Sequence, residues 1–238
     1  MRKKQGMTHK YPLIYCAIDT DNLDRASDLA KQIGPVTGGL KLGLEFFSRF
    51  GPTGVETVRA ACPQASIFLD MKYHDIPNTV AGAVKAISHN LAPAYLNAHA
   101  SGGQAMMEAA KTACAPQTKL LAVTILTSID EAAIEDIGYN GGVTQSVSRL
   151  AQLTQSSGLD GIVCSAHEIQ MIREQCGPDF DLMVPGIRPE GSDTGDQKRV
   201  MTPKQALKAG ATHLVIGRPI TQADDPQVAA QAILDDIA

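Results

Sequence analysis

The stretch SIFLDMKYHDIPNTV, residues 66–80, opens as a strand and runs into a charged, proline-containing segment. Side chains alternate faces along a strand. Ile67, Leu69, Met71 and Tyr73 therefore share one face, and Phe68, Asp70 and Lys72 share the other. Buried parallel strands are normally near-continuous apolar runs. Here one face stays apolar and suits a helix layer. The other acquires charge only at its C-terminal end, as expected if that face lines the inside of a barrel.

The same strand-then-helix pattern repeats on both sides of this stretch. Apolar strand-like runs occupy 13–19, 38–43, 66–72, 94–100, 119–126, 161–166, 181–186 and 212–218. Between them lie stretches rich in Ala, Leu, Glu, Gln and Lys, such as NLDRASDLAKQIG and GGQAMMEAAKTAC. Eight such units of about thirty residues point to an α/β fold closed as a (β/α)8 TIM barrel. A doubly wound open sheet is the rival, but it usually has fewer strands and a glycine fingerprint after the first one. AIDTDNLD, at 17–24, has no such fingerprint. The expected organisation is one catalytic domain over 11–238, preceded by a flexible lead-in at 1–10. Two connections are long: 127–143, expected to hold a short helix, and the polar 187–202, which at that length is either a functional lid or disordered.

The bulk numbers exclude several classes. Of 238 residues, 44% are hydrophobic and 19% charged, as in ordinary globular proteins. No run approaches the roughly 20 apolar residues of a membrane span. A net charge of -4 argues against a nucleic-acid partner, as does an aromatic content of 4% without Trp. Five cysteines without C-x-x-C spacing fit reduced thiols and a cytoplasmic location.

Period-two counting places further charges beside Asp70 and Lys72. Asp19 shares a face with Tyr15 and Ala17, and Lys41 lies between Gly39 and Gly43, opposite Leu40, Leu42 and Leu44. Three successive strands thus deliver Asp19, Lys41, Asp70 and Lys72 to one mouth, where barrel enzymes keep their active sites. The charges balance, so mutual pairing is expected; a purely structural ion-pair network is the alternative. A metal held by Asp70, His74, Asp75 and His99 is a further alternative, opposed by the two lysines beside it and by Pro77, which argues against the strand reaching His74. His99 reads as an inward, hydrogen-bonded residue beside Asn97. At the other end of the chain, VIGRPIT (215–221) places Gly217 and Arg218 where barrels often bind phosphate. Arg188, Gln197 and Arg199 in the preceding loop add phosphate-matching groups, although Arg199 reads equally as a surface residue.

LDMKYHDIPNTV resembles the D-x-K-x-x-D-I-P-N-T signature of the orotidine 5'-phosphate decarboxylase family. AID (17–19), KLGLEFF (41–47), LTS (126–128), VPGIRP (184–189), DQKRVMTP (196–203) and VIGRPIT resemble other blocks of that family, in its order. The likeness, closest to the bacterial-type, single-function form, spans nearly the whole chain. It implies decarboxylation of orotidine 5'-phosphate to uridine 5'-phosphate and CO2 in pyrimidine synthesis, with no cofactor and no metal. By position, Lys72 would protonate C6, Asp70 would lie by the departing carboxylate, Lys41 would pair with Asp70 and reach the ribose, and Asp19 would bind ribose hydroxyls. Asp75 would cross into the partner's site of a homodimer, with Thr79. Ile76, Pro77 and Asn78 join the substrate-binding set, Thr127 approaches the pyrimidine, and Arg188, Gln197, Gly217 and Arg218 surround the phosphate.

The residue types suit that chemistry. Loss of CO2 from C6 leaves a carbanion that no adjacent carbonyl can take up as a simple enolate. A fixed ammonium in a dry site can stabilise it and supply the proton. Two other readings remain: a Mg2+-dependent sugar-phosphate enzyme with a similar D-x-K-x-x-D strand, and a non-catalytic phosphate-ligand binder. The second has no use for inward carboxylates.

Overall fold

Eight parallel strands close on themselves in chain order. They are β1 (Ile14–Ala17), β2 (Gly38–Gly43), β3 (Ser66–Tyr73), β4 (Tyr95–His99), β5 (Lys119–Val123), β6 (Gly161–Val163), β7 (Asp181–Val184) and β8 (His213–Ile216). The computed structural model describes residues 12–190 and 201–238. Each expected strand run holds one observed strand, with β3 reaching one residue beyond 66–72. The expected lead-in at 1–10 lies outside the described residues, as do Gln197 and Arg199. The connection at 127–143 holds the expected short helix, Glu131–Asp136.

Helices link consecutive strands, and their ends are specified locally. The helix after β1, α1 (Leu23–Thr37), starts where the Asn22 side chain accepts from the Arg25 amide. It stops at Gly38, whose φ of 72° is the left-handed conformation that glycine adopts at no steric cost. The helix after β2, α2, spans Leu44–Ala61. The helix after β3, α3 (Pro77–Asn90), begins with a proline at a position whose N–H would have no helical partner. The IPNT motif is therefore the first turn of a helix and not an extension of the strand.

Two apolar layers result from the period-two pattern. Ile67, Leu69 and Met71 pack outward with Leu40, Leu42, Leu96 and Ala98 against the helices. Inside the barrel, Tyr15, Phe68 and Tyr95 meet edge to face, with ring centroids 5.7 to 6.3 Å apart. Gly39 makes room for this plug: a Cβ there would fall 3.0 Å from the Tyr15 ring and 2.6 Å from the Ile14 carbonyl oxygen. The Tyr95 hydroxyl lies 2.8 Å from both Asp181 Oδ2 and His213 Nε2. The N-terminal half of the barrel is thus filled, and the open space is left at the C-terminal mouth.

Candidate active site

A cavity of about 480 Å³ occupies that mouth. Asp19, Lys41, Asp70, Lys72, Thr127, Arg188, Gly217 and Arg218 all line it. Eight of the sequence-predicted positions therefore converge, although they are spread from the first strand to the last.

The charges form a chain of contacts. Lys72 Nζ stands 2.6 Å from Asp70 Oδ1. Lys41 Nζ is 3.6 Å from Asp70 Oδ2 and 3.0 Å from Asp19 Oδ1. Asp70 and Lys41 are deeply set, whereas the Asp19 side chain is 56% exposed and faces the opening. Gly43 is part of this arrangement: a Cβ there would sit 3.0 Å from Lys41 Nζ and 3.4 Å from Asp19 Oδ1. A side chain at this position would press on the ion pair and require Lys41 Nζ to shift by a few tenths of an ångström.

Burial works against the charges of Asp70 and Lys41, and their partners decide the outcome. Burial alone would raise the Asp70 carboxyl. Lys41, Lys72 and the hydrogen bonds from Lys72 and Asn97 outweigh it, so Asp70 is held below the usual carboxylate range. Burial alone would lower Lys41, but Asp70 and Asp19 outweigh it and its ammonium is stabilised upward. The pair is therefore ionised at neutral pH. His99 behaves oppositely: burial, then the neighbouring His74 and Lys72, push its imidazole down. The His74 and His99 rings lie 5.5 Å apart.

The backbone at the end of β3 departs from a regular strand, although its side chains keep their faces. Its register with β4 pairs Leu69 with Leu96 but Tyr73 with Ala98, so β3 carries a bulge around Asp70–Lys72. Lys72 has φ of 51°, in the left-handed region that side chains other than Gly, Asn and Asp seldom adopt. Asn97 bridges the bulge. Its Oδ1 accepts from the Lys72 amide at 2.7 Å, and its Nδ2 donates to Asp70 Oδ1 at 2.7 Å. The sequence reading placed Asn97 inward but gave it no role. The available signal was an amide in the middle of an otherwise apolar strand, YLNAHA.

The opposite wall is apolar, with Val123, Ile125, Leu126, Val163 and Pro185 facing the cavity. Cys164 joins it, and burial pushes its thiol well up, so it contributes a neutral surface. Arg188 is buried at the rim. Its amide donates to the Met201 carbonyl, and the Ile187–Met201 bridge draws the two ends of the 187–202 connection together. At the end of β8, a Cβ on Gly217 would approach Ala17 Cβ to 3.3 Å, so glycine permits close passage beside β1.

Asp75, Ile76, Asn78 and Thr79 are exposed, and none of them lines this chain's cavity. Asp75 Oδ1 instead accepts from the Ile76 amide at 2.6 Å. Among the described residues, no group of three His, Cys, Asp or Glu side chains converges as a metal site, so Asp70, His74, Asp75 and His99 do not form one. All five cysteines are free thiols. No described helix is long and apolar enough to cross a membrane.

The family model "Orotidine 5'-phosphate decarboxylase / HUMPS family" matches residues 12–233. The chain belongs to this family. It is 50% identical over 232 residues to a Rhodospirillum rubrum protein named orotidine 5'-phosphate decarboxylase, covering 94% of this chain and 93% of the relative. A Moorella thermoacetica protein of the same name is 46% identical over 238 residues, covering 96% and 93%. Among solved structures, an orotidine 5'-phosphate decarboxylase from Lactobacillus acidophilus superposes with a TM-score of 0.81 at 34% identity, covering 95% of this chain and 99% of that one. The Methanocaldococcus jannaschii enzyme complexed with the inhibitor BMP, at 17% identity and a TM-score of 0.77, shares the fold. Membership, with relatives at about half identity named as decarboxylases, makes the chain an enzyme of the carboxy-lyase class.

Proposed function

We propose that this chain converts orotidine 5'-phosphate to uridine 5'-phosphate and CO2, with no metal or organic cofactor, as a homodimer that shares its active sites. The observation that carries the reading is the Asp19–Lys41–Asp70–Lys72 array on one side of the cavity, with Arg188 and Arg218 also lining it. A nucleotide bearing a carboxylate and a phosphate needs cationic groups at two separate places. Its ring also needs an apolar wall, which Val123, Ile125 and Val163 supply.

In this mechanism the phosphate is held by Arg188, Gly217 and Arg218. Gln197, outside the described residues, completes the set by family position. The ribose meets Asp19 and Lys41, and Thr127 faces the pyrimidine. The substrate carboxylate lies against Asp70, which is held ionised by the flanking lysines. Like-charge repulsion raises the energy of the bound substrate and is relieved as CO2 departs. The bond between C6 and the carboxylate carbon breaks, and its electron pair stays on C6. Lys72 stabilises that pair and then delivers its proton to C6. A preorganised ammonium in a water-poor site is effective because it needs no reorganisation as charge develops. Binding energy from the remote phosphate offsets the unfavourable placement of two carboxylates side by side.

The donor set is ill suited to a divalent cation. Each oxygen of Asp70 already faces an ammonium, which a metal would have to displace or oppose. The exposed Asp75 and Thr79, next to an Ile76 that is 66% exposed, are the groups a partner subunit would receive. The test is to mix the purified protein with orotidine 5'-phosphate and follow the loss of substrate absorbance, with and without EDTA. Equal turnover in both is expected. Turnover only with Mg2+ would favour a metal-dependent reaction, and absence of turnover in both would sink the assignment.

A further inference from the structure

Asn97 stands opposite the bulge and is fully buried. Its neighbours on β4 are registered with β3 on one side at Leu96 and on the other at Ala98. From Leu69 to Tyr73 the β3 chain advances four positions, while β4 advances two from Leu96 to Ala98, so two extra residues must be accommodated. A backbone displaced in this way loses ladder hydrogen bonds, and a buried amide N–H left unpaired is destabilising because its desolvation is not compensated. Asn97 replaces the missing acceptor for the Lys72 N–H and, with the other end of the same amide, grips the Asp70 oxygen that also receives the Lys72 ammonium. Its orientation is fixed by chemistry: only oxygen can accept from an N–H, and only the NH2 can donate to a carboxylate.

We propose that Asn97 is a positioning residue for the decarboxylation: one amide sets the backbone of the proton donor and the rotamer of Asp70 together. The inference rests on the function proposed above. Asn97 touches no reacting atom and acts through Asp70 and Lys72.

Replacement by aspartate separates positioning from general structural support. The new carboxylate still accepts from the Lys72 amide, but its other oxygen faces Asp70 at hydrogen-bond distance. Two such carboxylates do not both ionise readily, and they share a proton instead. The charged and titratable groups around them are Asp70 and Lys72 on β3, Lys41 on β2, Asp19 beyond β1, His74 beyond β3 and His99 on β4. On β5, the positions registered with Asn97 and His99 are the apolar Leu121 and Val123.

Asn97→Asp is expected to lose turnover on the order of 10²-fold at neutral pH, the scale of a displacement of about 1 Å. Relative to wild type at the same pH, it is expected to recover several-fold as pH falls toward about 5 and the added carboxyl becomes a donor. Its urea midpoint is expected to recover over the same range. Asn97→Ala should lose turnover similarly without any acid recovery, and both should bind uridine 5'-phosphate within about threefold of wild type. Turnover within about threefold of wild type for Asn97→Ala would overturn the proposal; so would absence of acid recovery in both profiles of Asn97→Asp. If Asn97→Ala does not fold, the two pH profiles of Asn97→Asp decide. If wild type leaves orotidine 5'-phosphate unchanged while the Asn97→Asp midpoint recovers in acid, the function fails but the bonding of Asn97 stands.

Discussion

Lys72 combines the proposed proton-donor role with an unfavourable backbone, and the two can be separated by comparing Lys72→Gly with Lys72→Ala. Both variants remove the amine, both keep the N–H that donates to Asn97 Oδ1, and both are expected to be inactive. They differ in Cβ at a φ of 51°. A left-handed residue with a Cβ costs roughly 1–2 kcal/mol. Glycine avoids that cost but gives up roughly 0.5–1 kcal/mol through its freer unfolded chain. The balance favours glycine at this position by about 0.5 to 1 kcal/mol. At Val215, an inward position of β8 that is not among the positive-φ residues, the order reverses and alanine is favoured by roughly 0.5–1 kcal/mol.

Urea unfolding of the four variants measures the contrast directly. Each pair differs by so little surface that its m-values should agree, and the midpoints alone then report stability. Lys72→Gly is expected to unfold at higher urea than Lys72→Ala, and Val215→Gly at lower urea than Val215→Ala. The two differences should be separated by about 1.5 kcal/mol, close to tenfold in the folded-to-unfolded ratio. If alanine is the more stable residue at both positions, Lys72 is not held in a left-handed conformation, and the bulge around Asp70–Lys72 is refuted with it.

Four further outcomes test the site. Lys41 has its pKa raised in the folded state, so its contribution is fully present below the ordinary lysine value of about 10.5 and is lost as pH rises through the folded value. The stability gap between wild type and Lys41→Met is thus expected to be flat near neutrality and to shrink on the alkaline side; a gap that widens there contradicts the ion-pair geometry. Asp70 and His99 are both lowered, which places acid losses below the usual carboxylate range for Asp70 and below about 6.5 for His99; His99→Asn should flatten the second of these in an acid titration of the urea midpoint. Arg218→Ala is expected to raise KM by one to two orders of magnitude with a smaller loss of kcat, as for a removed phosphate contact; unchanged kinetics would remove Arg218 from the phosphate site. Mixing inactive Lys72→Ala with inactive Asp75→Asn tests the shared site, because subunit exchange would create one intact site in each mixed dimer; steady-state activity that stays at the level of the separate variants would contradict the crossing of Asp75.

What the sequence could disclose was limited by the range over which its patterns act. Alternation is local, so it assigned Phe68, Asp70 and Lys72 to the barrel interior and Ile67, Leu69 and Met71 to the helix layer, as observed. The same counting placed Lys41 and Asp19 correctly, even though β1 ends at Ala17 and Asp19 lies past it. Register between strands is not local. Nothing in SIFLDMKY shows that two extra residues enter opposite Asn97, because the alternation of the side chains survives while the backbone beneath them leaves the β region. Gly43 was equally illegible: glycine at the end of a strand reads as a turn, and only the positions of Lys41 and Asp19 show that a Cβ would press on their ion pair. Asp75 and Thr79 mark a third kind of limit. They are exposed in the chain by itself, so their burial and charge say nothing of catalysis, and only the family signature connects them with a site. Asn97 and Gly43 acquire their roles from neighbouring strands, and in the proposed dimer Asp75 and Thr79 would acquire theirs from a neighbouring subunit. A bulge held by one buried amide is therefore the feature where the chemistry depends most on the fold and least on the motif, which is why Asn97, outside the D-x-K-x-x-D signature, is the position whose replacement tests the geometry of the whole array.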